Sequence, residues 1–111
     1  MECTEEKYND RTIIGLRGRM DSVTARTVEE KLLALIENGE RHLVVDCAEL
    51  TYVSSAGLRV FLMAAKRVTQ VKGQLIFTTL NDEVRQVFDL TGFSSILQVC
   101  SSREEAITQA A

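Results

Sequence analysis

The sequence predicts an α/β fold: one domain over residues 1–111, built on a mixed, mostly parallel sheet with an antiparallel edge strand and about four helices. Three observations predict it. From residue 42 onward, short runs rich in β-branched residues alternate with longer segments whose apolar residues recur every three or four positions, the pattern of strands joined by crossover helices. Ahead of them, two strand-like segments flank Asn9-Asp10, residues suited to a tight turn, so the chain opens on a hairpin. The composition, 45% hydrophobic and 26% charged with only 5% aromatic and no Trp, fits one core of Leu, Ile, Val and Ala between helices and a sheet.

Each element follows from local chemistry. Cys3 to Tyr8 reads as a polar edge strand and Thr12 to Leu16 as its returning partner. Asp21 or Ser22 offers an N-cap oxygen, and Ala25, Val28, Leu32, Leu35 and Ile36 keep helical spacing until Gly39, which predicts a helix over 22–38. The apolar run from His42 to Cys47 reads as a strand covered on both faces and therefore central. Residues 55–71 then carry Leu58, Phe61, Leu62, Ala65 and Val68 at helical steps, with Lys66, Arg67 and Lys72 near the C-terminal end, where the helix dipole favours cations. Gly73 is the expected stop. Gln74 to Thr79 forms the next strand, and Asn81 or Asp82 caps a helix with Val84, Val87, Phe88 and Leu90 on its buried side, ended by Gly92. Ile96 to Val99 makes a last strand. Ser102 and Glu105 have capping-box spacing and open a final helix through Ala106 and Ile107.

The totals exclude several function classes. A formal net charge of -3 gives no global attraction to phosphate backbones or anionic membranes, so no nucleic acid and no membrane partner is expected. No apolar run reaches the roughly 20 residues that span a bilayer, and the first residues lack a basic then apolar pattern, which reads as a cytoplasmic chain. Cys3, Cys47 and Cys100 lie far apart without a CxxC pair, so neither a disulfide framework nor a metal site is expected, and Cys47 and Cys100 read as small hydrophobes at strand ends. No GxSxG, GxxxxGK[ST] or HExxH motif occurs, and Gly15-Leu16-Arg17-Gly18 is only a partial glycine pattern.

The segment "LTYVSSAGLRVFLMAAKR" stands out because two serines and a glycine enter a helix at the carboxyl end of a central strand, the usual place for sites in α/β domains. There, unpaired backbone N–H groups and the positive end of the dipole favour a phosphate. A plain reading is equally physical: Ser54 or Ser55 is only a cap, and Gly57 exists for close packing. A serine nucleophile needs a base, and the sole histidine, His42, falls at the far end of the preceding strand. The residues thus describe no enzyme and no bound cofactor; chemistry at Ser55 would have to come from another protein.

"LRGRMDSVTA", "HLVVDCAELTYVSSAGLRVFLMAAK" and "EVRQVFDLTGFSSIL", in that order and spacing, resemble the STAS-domain anti-sigma-factor antagonists over nearly the whole chain. The resemblance implies a bacterial partner-switching protein whose unphosphorylated form binds an anti-sigma factor that is also an ATP-dependent serine kinase. Phosphorylation of one serine breaks the complex, and a PP2C-type phosphatase restores it. Members commonly read Asp-Ser-Ser-Gly at this point. Aligned on the Gly-Leu pair, Ser54 takes the place of the aspartate, Ser55 that of the phosphoacceptor and Ala56 that of the second serine, so Ser55 is the implied acceptor and Ser54 its rival. Asp21 matches an acidic position of the partner surface, although it also suits a helix cap. Asp21, Ser54, Ser55, Ala56, Gly57, Leu58 and Arg59 are the implied partner-binding set, although Arg59 reads first as a solvated helix charge. An alternative within the fold is a STAS subunit of a lipid-transport or signalling assembly that is never phosphorylated.

Overall fold

The computed structural model describes residues 1–109; the expected domain bounds run to 111, two residues past the described ones. The elements are β1 (Glu2–Tyr8), β2 (Arg11–Met20), α1 (Thr24–Glu37), β3 (His42–Val53), α2 (Ser55–Gln70), β4 (Gln74–Thr78), α3 (Asp82–Leu90), α4 (Phe93–Ile96), β5 (Gln98–Cys100) and α5 (Arg103–Gln109). The five strands form one sheet in the order β1-β2-β3-β4-β5, with β1 antiparallel to β2 and every later pair parallel. Among the described residues no helix is long and apolar enough to cross a membrane.

Burial divides the sheet into two faces. Ile14, Leu16, Val45, Leu50 and Phe77 meet the buried sides of α1, α2 and α3 in the main core, while Ile13, Val44 and Ile76 meet Cys100 and Ala106 in a smaller cluster under α5. Adjacent residues such as Ile13 and Ile14 fall in different clusters because successive strand side chains point to opposite faces. At the centre, the ring of Phe61 lies 4.7 Å from Phe77 and 6.2 Å from Phe88, in tilted arrangements favoured by the ring quadrupoles. Arg103 fastens α5 from outside: its Nε donates to Asp46 Oδ2 at 3.0 Å and its Nη1 to Glu6 Oε2 at 2.8 Å.

Two strands outrun their expected ends. β2 continues past Leu16 to Met20, and β3 past Cys47 to Val53. The pairing shows why. Gly15 faces Asp46 but Arg17 faces Glu49, and Gly18 faces Leu50 but Arg19 faces Tyr52, so β3 carries one extra residue in each interval. Each bulge shifts the alternation by one position, and Cys47, Leu50 and Val53, three apart in sequence, all enter the same core. Cys47 therefore sits within a strand rather than at its end, fully buried, and burial pushes its thiol far above the ordinary range. Cys100 does end β5.

Helix ends differ in detail from the expectation. Gly39, at φ +97°, closes α1, with its own N–H on Ile36 O and that of Glu40 on Leu35 O. In α2 the left-handed residue is Lys72, not Gly73. Gly73 serves close approach instead: a Cβ there would lie 2.6 Å from both Arg41 O and Val68 Cγ2. Gly73→Ala is expected to destabilise the fold by about 1–3 kcal/mol through overpacking against backbone that cannot yield, measurable by urea denaturation. After Gly92 the chain makes the extra helical turn α4 before β5, which leaves Ile96 exposed and outside the strand, while Leu90 lies on the exposed side of α3. Asn81 is the cap of α3, accepting from Val84 N at 2.8 Å and donating to Leu50 O at 2.9 Å. In α5, Ser102 Oγ accepts from Glu105 N, but the Glu105 carboxylate turns to Ser101 Oγ rather than completing the box.

Candidate functional site

The two bulges carry β3 to Val53, so α2 starts beside the end of β2. Ser54 fixes the junction with both its backbone groups and its side chain. Its N–H donates to Met20 O at 2.8 Å, its carbonyl accepts from Leu58 N at 2.9 Å, and its Oγ accepts from Gly57 N at 3.1 Å. Its backbone is extended, at φ -85° and ψ 173°, as an N-cap requires. Ser54 is thus the cap of α2, half-buried and engaged. Ser54→Ala is expected to cost about 0.5–2 kcal/mol of stability, read as a lowered denaturation midpoint, whereas Ser55→Ala should leave that midpoint nearly unchanged.

Ser55 is the first residue of α2 and is exposed. Its hydroxyl makes no hydrogen bond to another described residue. With Gly57 and Leu58 N–H committed to Ser54, the N–H groups of Ser55 and Ala56 remain without an acceptor in the helix, at the positive end of its dipole and with no acidic residue in the first turn. An anionic group placed on Ser55 would be stabilised by the helix itself.

Gly57 and Leu58 are buried beneath this rim. A Cβ on Gly57 would fall 2.7 Å from Val53 Cγ2 and 3.1 Å from Met20 Cγ, so the bare glycine is what allows α2 to start directly against the ends of β2 and β3. Leu58 is 5% exposed and belongs to the main core; what it offers the rim is support. Ala56 is half-buried and Arg59 exposed.

Asp21 directly follows Met20, the residue bonded to Ser54, and shapes the neighbouring loop. Its Oδ1 accepts from Val23 N at 3.0 Å, Thr24 N at 2.9 Å and Thr24 Oγ1 at 3.1 Å, while its carbonyl accepts from Ala25 N. Asp21, rather than Ser22, therefore caps the start of α1. The Thr24 backbone N–H, then the Thr24 hydroxyl, hold its carboxyl below the usual carboxylate range. A depressed folded-state value means that its stabilising contribution is present above the unfolded value and is lost as pH falls through the lowered one. The acid limb of stability should accordingly flatten in Asp21→Asn. Beside it, the Arg19 guanidinium stacks 4.3 Å from the Tyr52 ring centroid, an exposed pair that no sequence pattern pointed to.

His42 begins β3, at the opposite end of that strand from Ser55. Among the described residues no group of His, Cys, Asp and Glu could hold a metal ion. The rim thus brings together Asp21, Ser54, Ser55, Ala56 and Arg59, over Gly57 and Leu58.

Comparison with known proteins places this arrangement. BtrV of Bordetella bronchiseptica, described as an anti-sigma factor antagonist, is 43% identical over 106 residues, covering 96% of this chain and 91% of its own. A Thermotoga maritima protein described as an anti-sigma factor antagonist superposes with a TM-score of 0.92 at 16% identity, covering 96% and 92% of the two chains. The Bacillus antagonist SpoIIAA, solved in unphosphorylated and phosphorylated forms, superposes with TM-scores of 0.76 and 0.75 at 19% and 21% identity, covering 96% and 97% of this chain and 94% and 98% of its own. The family model described as the STAS domain matches residues 4–106, and with that span, from the edge strand to the last helix, the chain belongs to the STAS domain family.

Proposed function

We propose that this protein is an anti-sigma factor antagonist that works by partner switching, with Ser55 as its switch. In its unmodified form it binds a serine-kinase anti-sigma factor through the rim of Asp21, Ser54, Ser55, Ala56 and Arg59, supported by Gly57 and Leu58. The kinase transfers the γ-phosphoryl group of ATP to Ser55 Oγ, the hydroxyl proton passing to a base of the kinase and ADP leaving. The complex then separates. A PP2C-type phosphatase hydrolyses the phosphoserine and restores the hydroxyl.

The observation that carries the reading is the division of labour between the serines: Ser54 Oγ is held by the Gly57 N–H, whereas the Ser55 hydroxyl is exposed at the first helical position. The descriptions of the relatives as anti-sigma factor antagonists support the partner class. The remoteness of His42 from Ser55 supports the role of substrate rather than enzyme, acting without a cofactor and in the cytoplasm, where kinase and sigma factor work.

A phosphoserine carries about -1.5 to -2 charge and three acceptor oxygens. At the start of α2 that charge is favourable to the fold, so the switch acts at the interface, where the dianion must lose water and share the contact with the Asp21 carboxylate and any acidic group of the partner. Capture from a bacterial lysate with the unmodified chain tests the function. The expected result is an ATP-binding anti-sigma factor, released when ATP and Mg²⁺ are added; retention of that partner through complete phosphorylation would contradict the proposal.

A further inference from the structure

Beyond Ser55 and Arg59, the outer side of α2 carries a pattern that the switch does not use. Ser55, Arg59, Leu62, Met63, Lys66 and Arg67 follow one another at steps of 4, 3, 1, 3 and 1 along the helix, which at 3.6 residues per turn is a single stripe. The stripe lies opposite the helix's buried side of Gly57, Phe61, Ala64 and Val68. Arg59, Lys66 and Arg67 are exposed, and Leu62 and Met63 between them are half-buried. Arg59 and Met63 also line a shallow groove toward α1, where Arg26 and Glu29 stand.

Eight of the thirteen basic residues make no ion pair among the described residues, and the stripe gathers three of them, Arg59, Lys66 and Arg67, on one helix face. Acidic residues outnumber basic ones 16 to 13, and the ion pairs occupy Lys7, Arg11, Arg17, Lys31 and Arg103. None among the described residues involves Arg26, Arg59, Lys66 or Arg67. On an acidic protein, a row of cations outside any ion pair and interleaved with apolar side chains fits an acidic, partly apolar segment of another protein. The row is continuous with Ser55, so its occupant belongs to the partner that reaches that serine.

We propose that the outer stripe of α2 is a second docking surface, which takes an acidic segment of the anti-sigma factor and fixes the direction in which that partner lies across Ser55. The inference rests on the reading of Ser55 as a site visited by that partner. Lys66 and Arg67 lie 11 and 12 residues beyond Ser55, about 17 Å along the helix at 1.5 Å per residue, so their contacts are separable from those of the serine.

The test is calorimetry of the full chain against the purified anti-sigma factor captured as above, at low and at physiological salt. Lys66→Glu/Arg67→Glu should weaken binding by about tenfold or more and reduce its salt dependence. Lys66→Gln/Arg67→Gln should fall between it and the wild type, with unchanged circular dichroism in both variants because the side chains are exposed. Ser55 should still be labelled when the kinase is saturating. If the wild type binds and the reversed variant binds equally well, the stripe is overturned while the reading of Ser55 stands. If the wild type binds no anti-sigma factor, both fall together. A wild-type dimer in sedimentation that the reversal dissolves would assign the stripe to a second copy of this chain and also overturn the proposal.

Discussion

Phosphate on Ser55 is expected to lower the affinity of this protein for its anti-sigma factor by about a hundred- to thousandfold, equivalent to roughly 3–4 kcal/mol. The magnitude follows from placement. Ser55 is exposed at the first position of α2, and the loop of Asp21 is tied to the same junction through the 2.8 Å bond from Ser54 N to Met20 O. A partner covering both must desolvate a dianion in the same contact as the Asp21 carboxylate, which Thr24 holds below the usual carboxylate range. Ser55→Asp and Ser55→Glu should weaken binding in the same direction by less, having one charge and two oxygens, and Ser55→Ala should bind the kinase without release by ATP. Titration of each form against the partner checks this, and equal affinity of the phosphorylated and unmodified chains would refute it. Circular dichroism should not distinguish the two, because the helix dipole accepts the new charge.

Phe61→Ala is expected to destabilise the fold by about 3–5 kcal/mol. Phe61 is fully buried, projects from the middle of α2, and is the ring through which that helix meets β4 and α3, at 4.7 Å from Phe77 and 6.2 Å from Phe88. Three aromatic side chains meeting in a core otherwise made of aliphatic ones leave no neighbour small enough to close the cavity. Because domains of this size hold about 5–15 kcal/mol in total, the variant should be partly unfolded at growth temperature and lose partner binding with it. Urea denaturation monitored by far-UV circular dichroism reads the loss. A change below about 1 kcal/mol would mean that the ring cluster does not anchor α2.

The architecture was legible where one physical signal acted alone. Ala25, Val28, Leu32 and Leu35 sit on one helical face with no competing demand, and α1 lies where their spacing put it. The run Leu43-Val44-Val45 is covered on both faces, as its unbroken apolarity requires. The errors arose where two signals overlapped. Cys47, Leu50 and Val53 repeat every three residues, a period that belongs to neither a flat strand nor a helix, and only the paired register with β2 reveals the bulges that reconcile it. Leu90 is apolar but exposed because it falls on the side of α3 away from Val84 and Phe88, and Ile96 because Gly92 turns the chain into α4 ahead of β5. The stop expected at Gly73 begins one residue earlier, where Lys72 takes the left-handed conformation, and Gly73 itself answers to the close approach of Arg41.

At the rim, residue identities were readable but their division of labour was not. Two adjacent serines at a helix start are interchangeable on paper; the backbone decides that Ser54 turns inward to Gly57 N–H and that Ser55 is left facing out. Likewise Leu58 looks like a contact residue beside the serines until the helix phase set by Phe61 and Val68 carries it into the core. The stacked pair of Arg19 and Tyr52 joins residues 33 positions apart in sequence through the bulged pairing of β2 and β3, which no local pattern encodes.

The most direct measurement is phosphopeptide mapping by mass spectrometry after incubation of the full chain with ATP and the proposed kinase partner. The account predicts one phosphate, on Ser55, in the wild type and none in Ser55→Ala, with Ser54→Ala still labelled on Ser55. Label on Ser54 alone, or on neither serine while the kinase binds and turns over ATP, would contradict it.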